Sequence, residues 1–288
     1  MKPALIIDPE SLGANHPTLP FAVKHNLHEN PLFEIPRLLE LQKALPQDRA
    51  LYYPGDVEVN TDRKTIPATG LSAEETIRQI RDCRSWMALR NVELDPTYEG
   101  LVEETLGSVQ PALRNAAPGM ARPQGWIFIT SPGAISPYHF DPEHNFLLQI
   151  RGTKVIHVFD PADRSILSEE DLERYYASGG MMGKLEYNEE HQKKAYTYVM
   201  KPGDGVYIPV SAPHWVKVED EVSVSFSITY YSDEIIRRDR VYRLNARLRR
   251  LGITPAPYGR SALRDSLKHS AIAAFLGAKN LFGSRKQA

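Results

Sequence analysis

The chain reads as a mainly β fold with helical additions, its core a sandwich or barrel of short strands. Three observations carry that expectation. From Gly125 onward, short β-rich runs recur between Pro, Gly and Asp punctuation. The run Val222 to Tyr231 alternates apolar and hydroxyl side chains for its whole length. The clearest helical periodicity lies in the flanks, before residue 120 and after Ser232.

Taken in order, residues 1 to about 75 are broken by Pro31, Pro36, Pro46 and Pro54, and only Glu34 to Leu45 carries helical spacing, through Ile35, Leu38, Leu39, Leu41 and Leu45. Ser72, with Glu75 three residues on, has the capping-box pattern of a second helix whose buried side is Ile77 and Ile80. Trp86 to Val92 has strand character, and a third helix is expected from Pro96 to about Leu106. The β-rich runs follow: Trp126 to Thr130, Asn145 to Ile150, Lys154 to Phe159, Thr197 to Met200, Gly205 to Ile208 and Val222 to Tyr231. In the last, Val222, Val224, Phe226 and Ile228 share one face, while Ser223, Ser225, Ser227 and Thr229 share the other, which predicts apolar packing on one side and a polar cavity on the other.

After Ser232 the chain turns helical and basic. Asp233 and Glu234 stand in a first turn, Arg247, Arg249 and Arg250 in a last turn, and Gly252 just beyond, an order that complements the helix dipole. A final helix is expected over Ser261 to Leu281 with Leu263, Leu267, Phe275 and Phe282 on its apolar side. The expected organisation is thus an N-terminal extension over 1–119, a β core over 120–232 and C-terminal helices over 233–288. Pro161 to Ala195 interrupts the β pattern with a charged segment containing Tyr175, Tyr176, Gly179, Gly180, Met181, Met182 and Gly183, which reads either as a substrate-facing lid or as a solvated helix and loop.

Composition sets limits on function. The formal net charge of -1 gives no global electrostatic reason for binding nucleic acid or an anionic membrane, and the basic tail reads as a solvated helix face. Cys83 is the single cysteine, which excludes an internal disulfide framework and thiolate-rich clusters and fits a reducing, cytoplasmic setting. The segment Met1 to Asp8 is too short for a secretory signal, and no apolar stretch has the length of a membrane span.

The segment Ser136-Pro137-Tyr138-His139-Phe140-Asp141 carries His-X-Asp, and in an extended chain residues two apart project to one face. Isolated, such a pair is commonplace. Here a Pro202-Gly203-Asp204 turn, the strand through Tyr207 and Ile208, and then His214 supply a third ligand at long range. Two imidazoles and one carboxylate form a facial triad that leaves positions of an octahedral iron(II) open. His144, His157 and His191 are weaker ligand candidates, with His157 read as a strand histidine satisfied by a neighbour. Trp215 has two readings, a shield for the metal or a packing residue.

The run from Ser136 through Asn145 and Gln149 to Gly152-Thr153-Lys154 resembles the core of the JmjC and cupin-like (cupin 8) hydroxylases, and is similar to the asparaginyl hydroxylase acting on hypoxia-inducible factor, over roughly residues 120 to 232. The resemblance implies a double-stranded β-helix, or jelly-roll, and an Fe(II)-dependent oxygenase that uses O2 and 2-oxoglutarate. It implies that Ser136, where the family has a threonine, and Lys154 hold the distal carboxylate of 2-oxoglutarate. Asn145 is implied near the metal, and Ser227 near the co-substrate. No catalytic side chain beyond the metal ligands is implied. The chemistry of Lys154 agrees, because a lysine in a strand otherwise made of Val155, Ile156, Val158 and Phe159 needs either an anionic partner or an exit to solvent. The resemblance further implies a protein or peptide substrate, with a small molecule left open, and a homodimer built on the C-terminal helices. Two other readings of the same residues stay open: a cupin metalloenzyme that does not use 2-oxoglutarate, and a non-catalytic binding module.

Overall fold

The computed structural model describes residues 4–113, 118–179 and 185–283, with backbone only from 275. The N-terminal part contains β1 (Leu5–Ile6), α1 (Pro9–Asn15), β2 (Phe21–His25), α2 (Ile35–Ala44), β3 (Ala50–Pro54), α3 (Ala73–Arg78), β4 (Ser85–Arg90), α4 (Pro96–Gly107) and α5 (Gln110–Leu113). The central part contains β5 (Ala121–Thr130), β6 (Ile135–His139), β7 (His144–Arg151), β8 (Lys154–Val158), α6 (Glu169–Ala177), β9 (Tyr196–Met200), β10 (Asp204–Ile208), β11 (His214–Val218) and β12 (Ser223–Tyr231). Helices α7 (Asp233–Arg250) and α8 (Ala262–Gly283) close the chain.

The strands form two antiparallel sheets. One has the order β1-β2-β10-β7-β12-β5-β4-β3 and the other β6-β11-β8-β9. Leu147, Val206 and Ile208 of the first pack against Ile156, Val158, Met200 and Val216 of the second, so the two inner faces enclose one core. This is the jelly-roll that the sequence predicts. The tight turn between β7 and β8 falls on Gly152, at φ 69°, where a Cβ would stand 2.5 Å from the Val222 carbonyl oxygen. Only glycine closes it.

The alternation in β12 is realised. Val224, Phe226 and Ile228 lie in the cluster that also holds Leu38 and Leu41 of α2, Ile77 of α3 and Tyr98 and Val102 of α4, so helices cover the outer face of the large sheet. The hydroxyl face points between the sheets, where its two halves differ. Gln149 donates to Ser223 Oγ at 3.0 Å and accepts from Ser225 Oγ at 2.7 Å, which closes off that end. Ser227 and Thr229 remain on an open cavity.

The predicted helices lie where expected. The Ser72–Glu75 capping box is complete, Ser72 Oγ accepting from Glu75 N at 3.2 Å and Glu75 Oε2 accepting from Ser72 N at 2.8 Å. One expectation is corrected: the first 75 residues hold α1 and strands β1, β2 and β3 as well as α2. The strands pair with partners distant in sequence, β2 with β10 and β3 with β4, and so leave no local periodic signal. Among the described residues no helix is long and apolar enough to cross a membrane. Gly180, Met181, Met182 and Gly183, and the side chains of Phe275 and Phe282, lie outside the described residues.

Buried histidines tie the N-terminal segment to the large sheet. His25 Nδ1 accepts from Leu27 N at 3.1 Å, and its Nε2 donates to the Gln149 carbonyl at 2.9 Å, so the neutral ring is fully used. His144 pairs with Tyr207 Oη at 2.7 Å and stacks on Tyr230, which in turn pairs with His16 Nε2 at 3.0 Å. Burial pushes His16 and His25 down to about 4 and His144 down to about 3. The unfolded chain therefore binds protons that the folded chain refuses, and stability falls as pH drops from 6.5 toward 3. A thermal melting series is expected to show this loss, and His144→Gln is expected to make the decline between pH 6 and 4 shallower. An unchanged slope in that variant would remove the assignment.

Candidate metal centre

The antiparallel pairing of β6 with β11 sets His214 opposite His139, and the ring centroids stand 4.2 Å apart. Asp141 follows two residues beyond His139. Its Oδ2 lies 3.8 Å from His139 Nε2 and 3.7 Å from His214 Nε2. The three donor atoms all fall within 4.8 Å of one another. Asp141 is fixed through its backbone, whose carbonyl accepts from Ser211 N at 2.8 Å, and Ser211 Oγ is paired with Tyr176 Oη at 3.0 Å.

Both imidazoles are oriented for ligation. His139 Nδ1 lies 2.7 Å from the Pro137 carbonyl, and His214 Nδ1 lies 2.9 Å from the Ala212 carbonyl. A carbonyl only accepts, so each Nδ1 carries the hydrogen and each Nε2 presents a lone pair to the common centre. Burial holds both rings below the ordinary histidine range, with the nearby Arg63 and His214 adding to the effect at His139, so the neutral, ligating form is favoured. Two neutral nitrogens and one carboxylate in this arrangement fit a divalent transition metal such as iron(II).

The triad opens on a cavity of about 420 Å³ between the sheets. Ser136, Asn145, Lys154 and Ser227 line it together with the triad, so every site residue expected from the sequence is brought to one space. Ser227 Oγ donates to Asn145 Oδ1 at 2.6 Å. Lys154 pairs in register with Val218, four residues along the strands from the His214–Val158 pair, and so marks the far end. It is only 4% exposed, and no carboxylate or hydrogen-bond acceptor among the described residues reaches its ammonium. Burial alone pushes it down to about 7. The reading in which Lys154 leaves an edge strand for solvent is thereby excluded.

The remaining candidates fall away from the centre. His157 Nδ1 is paired with Thr197 Oγ1 at 2.8 Å. Trp215 stacks on His157 at 4.2 Å and donates to Gln192 at 3.2 Å, so of its two readings packing holds and shielding the metal does not; residues 214 and 215 point to opposite faces of β11. His144 belongs to the tyrosine stack, and His191 lies on a short 3-10 turn.

Further residues line the cavity beyond those expected at the site. Arg63, Glu143, Tyr175 and Tyr231 line the space on the Asp141 side. Tyr231 Oη donates to Glu143 Oε1 at 2.7 Å, and burial, with Asp141 close by, pushes Glu143 up to about 7. Tyr175 arrives from α6, so the interrupting segment contributes both a helix and a wall of the cavity. Arg63 and Glu143 read in sequence as ordinary surface positions, whereas Tyr231 ends the predicted strand from Val222 and Tyr175 lies in the segment read as a lid or a solvated helix and loop.

A family model, the cupin-like domain (Cupin_8), matches residues 39–235. Jumonji C domain-containing protein 5 of Drosophila melanogaster is 31% identical over 194 residues, covering 58% of this chain and 47% of that protein. Lysine-specific demethylase 8 of Danio rerio is 27% identical over 103 residues, covering 34% and 25%. The chain thus spans less than half the length of these curated relatives. Among solved structures, that of E. coli ycfD superposes with a TM-score of 0.51 at 14% identity over 96% of this chain and 69% of that one, a likeness of fold.

Proposed function

The chain belongs to the cupin-like JmjC family, whose members include Fe(II)- and 2-oxoglutarate-dependent oxygenases, and from that premise we propose that it is such an oxygenase, hydroxylating a protein or peptide side chain or a small molecule, or demethylating through the same oxidation. The observation that carries the reading is Lys154, a buried cation with no protein partner, in one cavity with two neutral imidazoles and a carboxylate. A buried ammonium is costly unless an anion meets it, and a dicarboxylate reaching from the triad supplies that anion.

In this reading His139, Asp141 and His214 hold iron(II), Lys154 and Ser136 bind the distal carboxylate of 2-oxoglutarate, and Asn145 with Ser227 forms the polar wall beside it. With both bound, the centre supplies oxidation by O2 coupled to decarboxylation of 2-oxoglutarate to succinate. The chain's own task is to orient these groups and exclude water, which Phe128, Leu147, Ile208 and Val216 serve as apolar walls. The test is binding of manganese(II) and N-oxalylglycine, followed by succinate release with iron(II) and 2-oxoglutarate. Metal binding without any effect of 2-oxoglutarate would favour a cupin enzyme of another class, and absence of both would leave a binding module.

The proposed partner in solution is a second copy of the chain. Leu263 and Leu267 are 72% and 64% exposed on α8, and Leu251 and Ile253, between α7 and α8, are exposed as well. The double variant Leu263→Glu, Leu267→Glu is expected to halve the mass found by light scattering. A dimer that persists in that variant would place the contact elsewhere.

A further inference from the structure

Lys154 is not the only cation that faces the cavity. Arg63 opens a single 3-10 turn, Arg63–Thr65, in the segment that runs beside β6, and its guanidinium lies over the Trp86 ring, 5.8 Å from the centroid. Arg63 is an exposed residue whose side chain also lines the cavity. Among the described residues no carboxylate forms an ion pair with it. The adjacent Asp62 is used to cap the turn, accepting from Lys64 N at 2.9 Å. The charge nearest in effect is Asp141, which the triad engages, and the other electrostatic neighbours, Tyr175 and Tyr53, are neutral phenols. Lys154 is not among them, and burial is the sole influence on Lys154, so the two cations occupy separate ends of the space. One dicarboxylate seated between Lys154 and the triad leaves Arg63 unmatched.

We propose that Arg63 is a second anion-binding position, and that the primary substrate presents a carboxylate to it on the Asp141 side of the cavity. This rests on the oxygenase reading above. A planar guanidinium held on an indole face offers the paired donors that a carboxylate accepts. A carboxylate's two coplanar oxygens match that pair of donors, and Arg63 shares its side of the space with Glu143 and Tyr231. The carboxylate belongs to an acidic side chain within a peptide or to a free organic acid.

The experiment uses the full chain loaded with manganese(II) and N-oxalylglycine, probed by ligand-observed NMR with acetyl-Ala-Glu-Ala-amide, acetyl-Ala-Asp-Ala-amide, N-acetylalanine and the neutral control acetyl-Ala-Gln-Ala-amide. At least one carboxylate probe is expected to bind tenfold or more tightly than the control. Preference for the first two identifies a peptide side chain as the source, and preference for N-acetylalanine a free acid. Arg63→Gln is expected to erase the preference and Arg63→Lys to keep part of it, while N-oxalylglycine affinity stays within about twofold of the wild type. The proposal is overturned if acid and amide probes bind alike or not at all, if Arg63→Gln keeps the preference, or if that variant loses N-oxalylglycine, which would assign Arg63 to the co-substrate. A wild-type chain that takes up neither manganese nor N-oxalylglycine refutes the oxygenase reading itself, whereas uptake with indifferent probes refutes this inference alone.

Discussion

Asp141→Ala is expected to abolish tight metal binding and to lower succinate formation by well over 100-fold, with little change in folding. The scale follows from ligand count: loss of a group that merely orients a ligand typically costs 10–100-fold, so removal of one of three donors costs more. Folding is spared because the Asp141 side chain is 39% exposed and packs in no apolar cluster. His214→Ala is expected to match it, and His157→Ala to behave like wild type, since that imidazole stacks on Trp215 away from the triad. Manganese titration followed by electron paramagnetic resonance gives occupancy, and a coupled succinate assay gives turnover. Near-normal turnover in Asp141→Ala would sink the metal assignment.

The second large effect concerns Lys154, and it has two opposed parts. Lys154→Met is expected to weaken 2-oxoglutarate binding by about 10- to 100-fold, the worth of a charge-assisted contact in a dry site. The same change is expected to stabilise the ligand-free protein. The unfolded chain keeps the lysine proton up to its ordinary 10.5, while the folded chain releases it near 7. Unfolding between those limits therefore takes up a proton, so stability rises with pH across the window and the penalty is full below 7. The penalty is on the order of 5 kcal/mol from a shift of that size. Melting temperatures of the wild type should climb from pH 7 toward 10, and those of Lys154→Met should start higher and climb less. A variant that melts lower than wild type at pH 7 and still binds 2-oxoglutarate normally would refute both parts. Binding of 2-oxoglutarate should also draw in a proton near neutral pH, as the anion restores the charged form.

Much of the fold was legible because local pattern and final environment agree. The hydroxyl face of β12 alternates with an apolar one, and the barrel uses both faces as that pattern requires. Ser72 and Glu75 predict a helix start that the backbone confirms. Strands β6 and β11, which carry His139 and His214, escaped notice as strands for physical reasons. Each has five residues, and β6 contains Pro137, which is tolerated because β6 is an edge strand. The triad was nevertheless readable, since His-X-Asp and a distant histidine after a Pro-Gly-Asp turn need no exact strand bounds. Arg63 and Glu143 were not. Arg63 stands between Asp62 and Lys64 as an ordinary surface cation would, and only the three-dimensional closure of the barrel brings it to residues more than seventy positions away.

That closure is made by a segment outside both sheets. Beside the edge strand β6, Ile135 N donates to the Gly55 carbonyl at 2.9 Å and Tyr138 N to the Val59 carbonyl at 2.8 Å, so the strip leading to Arg63 is held through its main chain, while Gly55 is kept small by Ala134 and Asn60 Oδ1 accepts from Tyr187 N at 3.0 Å. The triad thus rests on paired strands and Arg63 on a strip outside both sheets, so a substitution at Arg63 is expected to leave the arrangement of His139, Asp141 and His214 in place.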